Sequence, residues 1–126
     1  MYQYAVKTDI EEERFFSAIS EISQDLQRLQ NEAGAFVVLE VSPPINYVNY
    51  IQAANLSDTK GFFKKRHVIT GYIIELNMTE RDGSLTHYEY ETKDFEEIEE
   101  ILVEYISLLK TPNFSAWTDV SKHLFG

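Results

Sequence analysis

Thr8 to Ala33 reads TDIEEERFFSAISEISQDLQRLQNEA, and the fold turns on whether this stretch is one helix. Apolar side chains fall at Ile10, Phe15, Ile19, Ile22, Leu26, Leu29 and Ala33. After Phe15 the steps are four, three, four, three and four, which keeps them on one helical stripe. Thr8 with Glu11 fits a capping box, and the acids at Asp9 and Glu11 to Glu13 suit the positive end of a helix. Gly34 stands where a C-cap glycine belongs. The spacing therefore predicts a long amphipathic N-terminal helix.

The period then changes. Ala35 to Val41 is a β-branched and aromatic run stopped by Ser42-Pro43-Pro44. Tyr47 to Ala54 alternates and predicts a second strand, followed by a loop from Asn55 to Arg66. His67 to Met78 predicts a long strand, with Gly71 marking a bulge or close backbone approach. Asp82-Gly83 signals a hairpin turn. Leu85 to Glu91 returns, with Thr86, Tyr88 and Tyr90 on one face and His87, Glu89 and Glu91 on the other. Asp94 is a good N-cap for a helix to Lys110, with Glu97 three residues on. Pro112 ends it, and a short helix from Ser115 to His123 is expected, docked by Phe114, Trp117, Val120, Leu124 and Phe125. The expectation is a single α+β domain over residues 1–126. It comprises a four-stranded antiparallel meander, with the long N-terminal helix and the C-terminal helices on one face. Because the strands alternate, the other face is expected to be partly open.

Composition narrows function. The chain has no cysteine, which removes disulfides, thiol catalysis and Cys-based metal sites. The start, MYQYAVKTDIEEER, has neither a basic nor an apolar leader region, and no stretch reaches membrane-span length, so a cytoplasmic protein is expected. A formal charge of −10 disfavours nucleic acid and anionic membranes and favours a basic partner. That charge is concentrated: Glu75 to Glu104 holds eleven acids against Arg81 and Lys93. The stretch KGFFKKRH, Lys60 to His67, is the basic counterpart. Four cations make a weak nucleic-acid footprint, and Phe62 and Phe63 read more simply as pins holding a loop to the core.

Catalytic signatures are sparse. His67, His87 and His123 have no metal-type spacing, and neither a nucleophile elbow nor a phosphate-binding glycine loop is present. Glu91-Thr92-Lys93, with Asp82 and Glu75 upstream, is similar to the D…(D/E)-x-K arrangement of a nuclease superfamily. In those enzymes two carboxylates hold Mg²⁺ and the lysine helps place the attacking water. Asp82 beside Gly83 is more simply a turn former.

Small size, high acidity and α+β organisation are combined with the ending DFEEIEEILVEYI (Asp94 to Ile106) and FSAWTDV (Phe114 to Val120). In these features the chain resembles a bacterial immunity protein, the cognate inhibitor of a secreted or contact-delivered toxin. The resemblance implies a non-enzymatic protein, without cofactor or metal, that neutralises a basic partner such as a nuclease toxin. Glu89, Glu91, Glu96, Glu97, Glu100 and Glu104 would supply charge, and Tyr88 and Tyr90 contact area. Two alternatives belong to other classes: the Mg²⁺-dependent nuclease using Asp82, Glu91 and Lys93, and a homo-oligomeric structural protein, such as a homodimer, pairing through its open sheet face.

Overall fold

The computed structural model describes the backbone of residues 1–60 and 66–121, and the side chains of all of these but Thr59, Lys60, Arg66 and His67. The elements are β1 (Gln3–Thr8), β2 (Arg14–Phe16), a 3-10 turn (Ile19–Ile22), α1 (Ser23–Asn31), β3 (Phe36–Ser42), β4 (Val48–Lys60), β5 (Arg66–Thr79), β6 (Leu85–Thr92), α2 (Phe95–Ser107) and β7 (Thr118–Asp119). The strands form one antiparallel sheet in the order β2-β1-β3-β4-β5-β6-β7. Sequence reasoning expected four strands and a long N-terminal helix; the sheet has seven strands and both α-helices are short.

The long helix fails at its first half. Residues 3–8 and 14–16 are paired strands, and only residues 23–31 are α-helical. Two members of the expected stripe, Ile10 and Phe15, are 64% and 63% exposed. Thr8 does cap, but it caps a turn: its hydroxyl accepts from the backbone N–H of Ile10 (3.3 Å) and Glu11 (3.0 Å). The helix-like steps are met by three pieces in succession. Phe16 enters the core from a strand, Ile22 from the 3-10 turn, and Leu26 and Leu29 from α1. Gly34 closes the unit at φ +86°, in the left-handed region that suits glycine.

Other boundaries shift too. The expected loop from Asn55 is strand as far as Lys60, paired in register with Arg66; residues 61–65, with Phe62 and Phe63, lie outside the described residues. Beyond Ala54 on one side and Tyr72 on the other, β4 and β5 pair only with each other, as a two-stranded arm. In place of a helix starting at Ser115, residues 118–119 pair with β6; His123, Leu124 and Phe125 are not among the described residues. The two edge strands, β2 and β7, are only three and two residues long.

The core lies on one face of the sheet. Val37, Leu39 and Val41 of β3, Ile51 and Ala53 of β4, and Ile74 and Leu76 of β5 are buried against Leu26 and Leu29 of α1 and against Ile98, Leu102, Tyr105 and Ile106 of α2. Two polar ties fix α1. The Asn55 amide donates to the carbonyls of Leu29 (2.9 Å) and Glu32 (2.7 Å) and accepts from the Gly34 N–H (2.9 Å), answering the unpaired groups at the helix end. Arg28 forks onto Asp9 (2.9 and 3.0 Å), which also accepts from the Phe36 N–H (3.1 Å). One carboxylate thus joins β1, α1 and β3. That fork holds the Asp9 carboxyl down at about 2.

Candidate functional site

Strand register assigns each predicted site residue to a side, because residues directly paired across a ladder share a face. Tyr88 pairs with Leu76 and Tyr90 with Ile74, so both tyrosines lie on the core side. The C-terminal segment covers them: Phe114 sits against Tyr88 at 4.8 Å between centroids, and Trp117 stacks on Tyr90 at 5.7 Å and 13°. The Tyr90 phenol is pushed up, first by its hydrogen bond to Glu97. These two rings anchor the tail and leave little contact area for a partner.

Glu89 and Glu91 lie on the opposite side. Glu89 pairs with Glu75, and Glu91 with Ile73. The helix acids are on the core side of the sheet, carried by α2, so the structure splits the predicted set in two. Within α2, Glu96 and Glu100 are exposed. Glu97 accepts from the Thr92 hydroxyl (3.2 Å), and Glu104 lies 3.7 Å from the Lys110 ammonium. Glu96 and Glu97 occupy the first turn, where the helix dipole favours acids, and Asp94 caps it by accepting from the Glu96 N–H (3.0 Å). Much of the acidity of α2 therefore has a local structural reason.

The side away from the helices is covered by neither of them. One cross-strand row runs Lys7, Val38, Gln52, Glu75, Glu89, Thr118. A neighbouring row runs Phe36, Ala54, Ile73, Glu91, and a row on the other flank holds Phe15, Ala5 and Glu40. Most of these side chains are half-exposed or exposed. The face is thus an apolar strip bordered by glutamates, with Lys7 in the same row as Glu75 and Glu89. Glu89, Glu91 and Glu40 make no ion pair among the described residues. Glu75 is engaged, its carboxylate 3.8 Å from His87 Nε2. His87 is 5% exposed, with Nδ1 unpartnered among the described groups. Burial, then the Glu75 charge, raises the Tyr50 phenol nearby.

The nuclease-like residues do not assemble. Asp82 sits in the β5–β6 turn, accepting from the Ser84 N–H (2.9 Å) and hydroxyl (2.6 Å), the bonds that lower its carboxyl. Glu91 lies near the far end of β6, about 20 Å away at strand rise. Glu91 and Lys93 instead flank a shallow groove of about 500 Å³ with Leu56, Thr70, Gly71 and Thr92. Gly71 is there for close approach: a Cβ would stand 3.3 Å from the Thr92 carbonyl oxygen. Among the described residues no three His, Asp or Glu side chains converge as a metal site needs, and no helix is long and apolar enough to cross a membrane.

Sequence reasoning missed Glu40 and the role of Glu75 on this face. Alternation alone would have placed Glu40 opposite Val37, Leu39 and Val41. Comparison with known proteins gives no match: no family model, no curated protein and no solved structure matches the chain.

Proposed function

We propose that this chain is a non-enzymatic binding protein that captures a cationic protein on the sheet face away from its helices, as the inhibitor of a toxin would. One observation carries the proposal: Glu75 and Glu89 stand directly opposite each other on that face, beside Glu91 and an apolar strip. Like charges facing across a ladder destabilise a sheet. Nothing in the packing of the core requires them, since the helices lie on the other side. A lysine- or arginine-rich partner converts that repulsion into attraction, and Phe36, Ala54 and Ile73 supply contact area beside it. The net charge of −10 adds long-range steering. The α2 glutamates contribute to the steering field, while the face supplies the contact.

The test compares two double reversals that change net charge equally. A basic protein retained by the wild-type chain is purified, and its affinity measured for Glu89→Lys with Glu91→Lys and for Glu96→Lys with Glu100→Lys. The first pair is expected to weaken binding about a hundredfold or more, and the second severalfold through association rate. Equal losses, or binding indifferent to salt and to both pairs, would reject the face.

A further inference from the structure

The sheet face away from the helices ends in a recess whose lining combines an aromatic ring with two carboxylates. Phe15 lies on the edge strand β2, 63% exposed, in one cross-strand row with Ala5 and Glu40. Ala5, 6% exposed, forms a floor too small to fill the space. Glu13 and Glu40 stand at the walls, with Gln3 and Ser42 on the rim, around a volume of about 220 Å³. Both glutamates are exposed, and neither makes an ion pair among the described residues. Arg14, between Glu13 and Phe15 in sequence, turns to the other side of the sheet and spends its guanidinium on Asp25 (2.8 Å).

We infer that this recess receives an arginine side chain of the protein partner, the guanidinium lying on the Phe15 ring and forked by Glu13 and Glu40. The inference rests on the proposal that the face binds a cationic protein, and it names the anchor. The volume falls below the roughly 300–1,000 Å³ of small-molecule pockets and suits a single side chain. An aromatic face with carboxylates beside it matches a planar, weakly hydrated cation better than an ammonium. Phe15 and Glu40 lie on the same face as Glu75 and Glu89, in the row beside theirs, so an inserted arginine and a basic surface are engaged from one side of the sheet.

The experiment uses the full chain labelled with ¹⁵N and titrated with N-acetyl-argininamide, with the citrulline and lysine amides as controls. Amide shifts are expected at Gln3, Ala5, Phe15, Glu40 and Ser42 with the arginine probe. The neutral citrulline isostere should bind at least about tenfold more weakly, and the lysine probe several-fold more weakly. Phe15→Leu and Phe15→Ala, at an exposed position, should leave the spectrum folded and weaken the arginine probe about three- to fivefold. Glu40→Gln should do the same, and Glu89→Gln should not. Absence of shifts at these amides, or equal shifts with citrulline, overturns the inference. Failure of the larger proposal looks different: the probe still enters the recess, but capture of a cationic protein ignores Glu89 and Glu91. Conversely, if capture depends on Glu89 and Glu91 yet is unchanged by Phe15→Leu and Glu40→Gln, only the anchor is wrong.

Discussion

Neutralising Glu89 should make the protein more stable, although it removes one of its charged surface residues. Glu75 and Glu89 are directly paired on β5 and β6, which sets their Cβ atoms roughly 4.5–5.5 Å apart and their carboxylates about 6 Å apart. At that distance the repulsion is about 0.7 kcal/mol in water and about 3 kcal/mol at an effective dielectric of 20. The Glu75 side chain is only 26% exposed, but His87 Nε2 at 3.8 Å offers it some relief, and Glu89 is half in solvent. The lower part of the range applies, so Glu89→Gln should gain about 1 kcal/mol, or roughly 2–5 °C in a domain of this size. Melting curves at about 10 mM salt, where screening reaches out to roughly 30 Å, should show the full gain, and at 1 M most of it should vanish. Glu96→Gln makes the same change in net charge but sits in the first turn of α2. It should lose about 0.3–1 kcal/mol of favourable dipole interaction. Opposite signs at the two sites separate local repulsion from the overall charge. If Glu89→Gln destabilises, or if its gain is the same in high salt, the cross-strand conflict is not the operative force and the functional case built on it falls.

Three further outcomes follow from the packing. Asp9→Asn should cost about 1–2 kcal/mol at pH 7 by breaking the fork with Arg28. Because the folded carboxyl is held at about 2, below its ordinary 3.8, the Asp9 contribution is complete above about pH 5. The gap between wild type and Asp9→Asn should therefore be constant from pH 7 to about 5 and close progressively as pH falls from there toward 2, as read by denaturant midpoints. Asn55→Ala should cost about 2–3 kcal/mol and raise amide exchange at Gly34 first, since it strips the partners from two carbonyls and one N–H at the end of α1. Leu102→Ala, at a fully buried site on α2, should cost about 2–5 kcal/mol in chemical denaturation.

Much of the meander could be read in advance. The β-branched and aromatic run Ala35–Val41 and the alternation of Tyr72, Ile74, Leu76 and Met78 mark β3 and β5, and Asp94 with the stripe Phe95, Ile98, Leu102 and Tyr105 identifies α2 without ambiguity. Thr8 to Ala33 misleads because a step of three or four is also what a strand, a tight turn and a short helix produce when laid end to end. Gln3–Thr8 offers too few alternations to reveal β1. The strands β2 and β7 have no periodic signal at all, since three and two residues are too few to show a period and each is held only by pairing with its neighbour, β1 or β6. At the site, alternation correctly separated Tyr88 and Tyr90 from Glu89 and Glu91. Which side stays uncovered depends on where the helices land, and that is a tertiary fact. Phe15, read as part of a helical stripe, could not then be seen as an exposed ring beside Glu40.

The stubs that bound the sheet have a consequence for how the molecule keeps company with itself. Fibres grow when one chain offers another a long row of free backbone donors and acceptors; β2 and β7 offer only three and two residues, so the β4–β5 arm beyond Ala54 and Tyr72 is the longer border. A second copy of the chain meets the longest run of free backbone at that arm rather than at the two ends of the sheet.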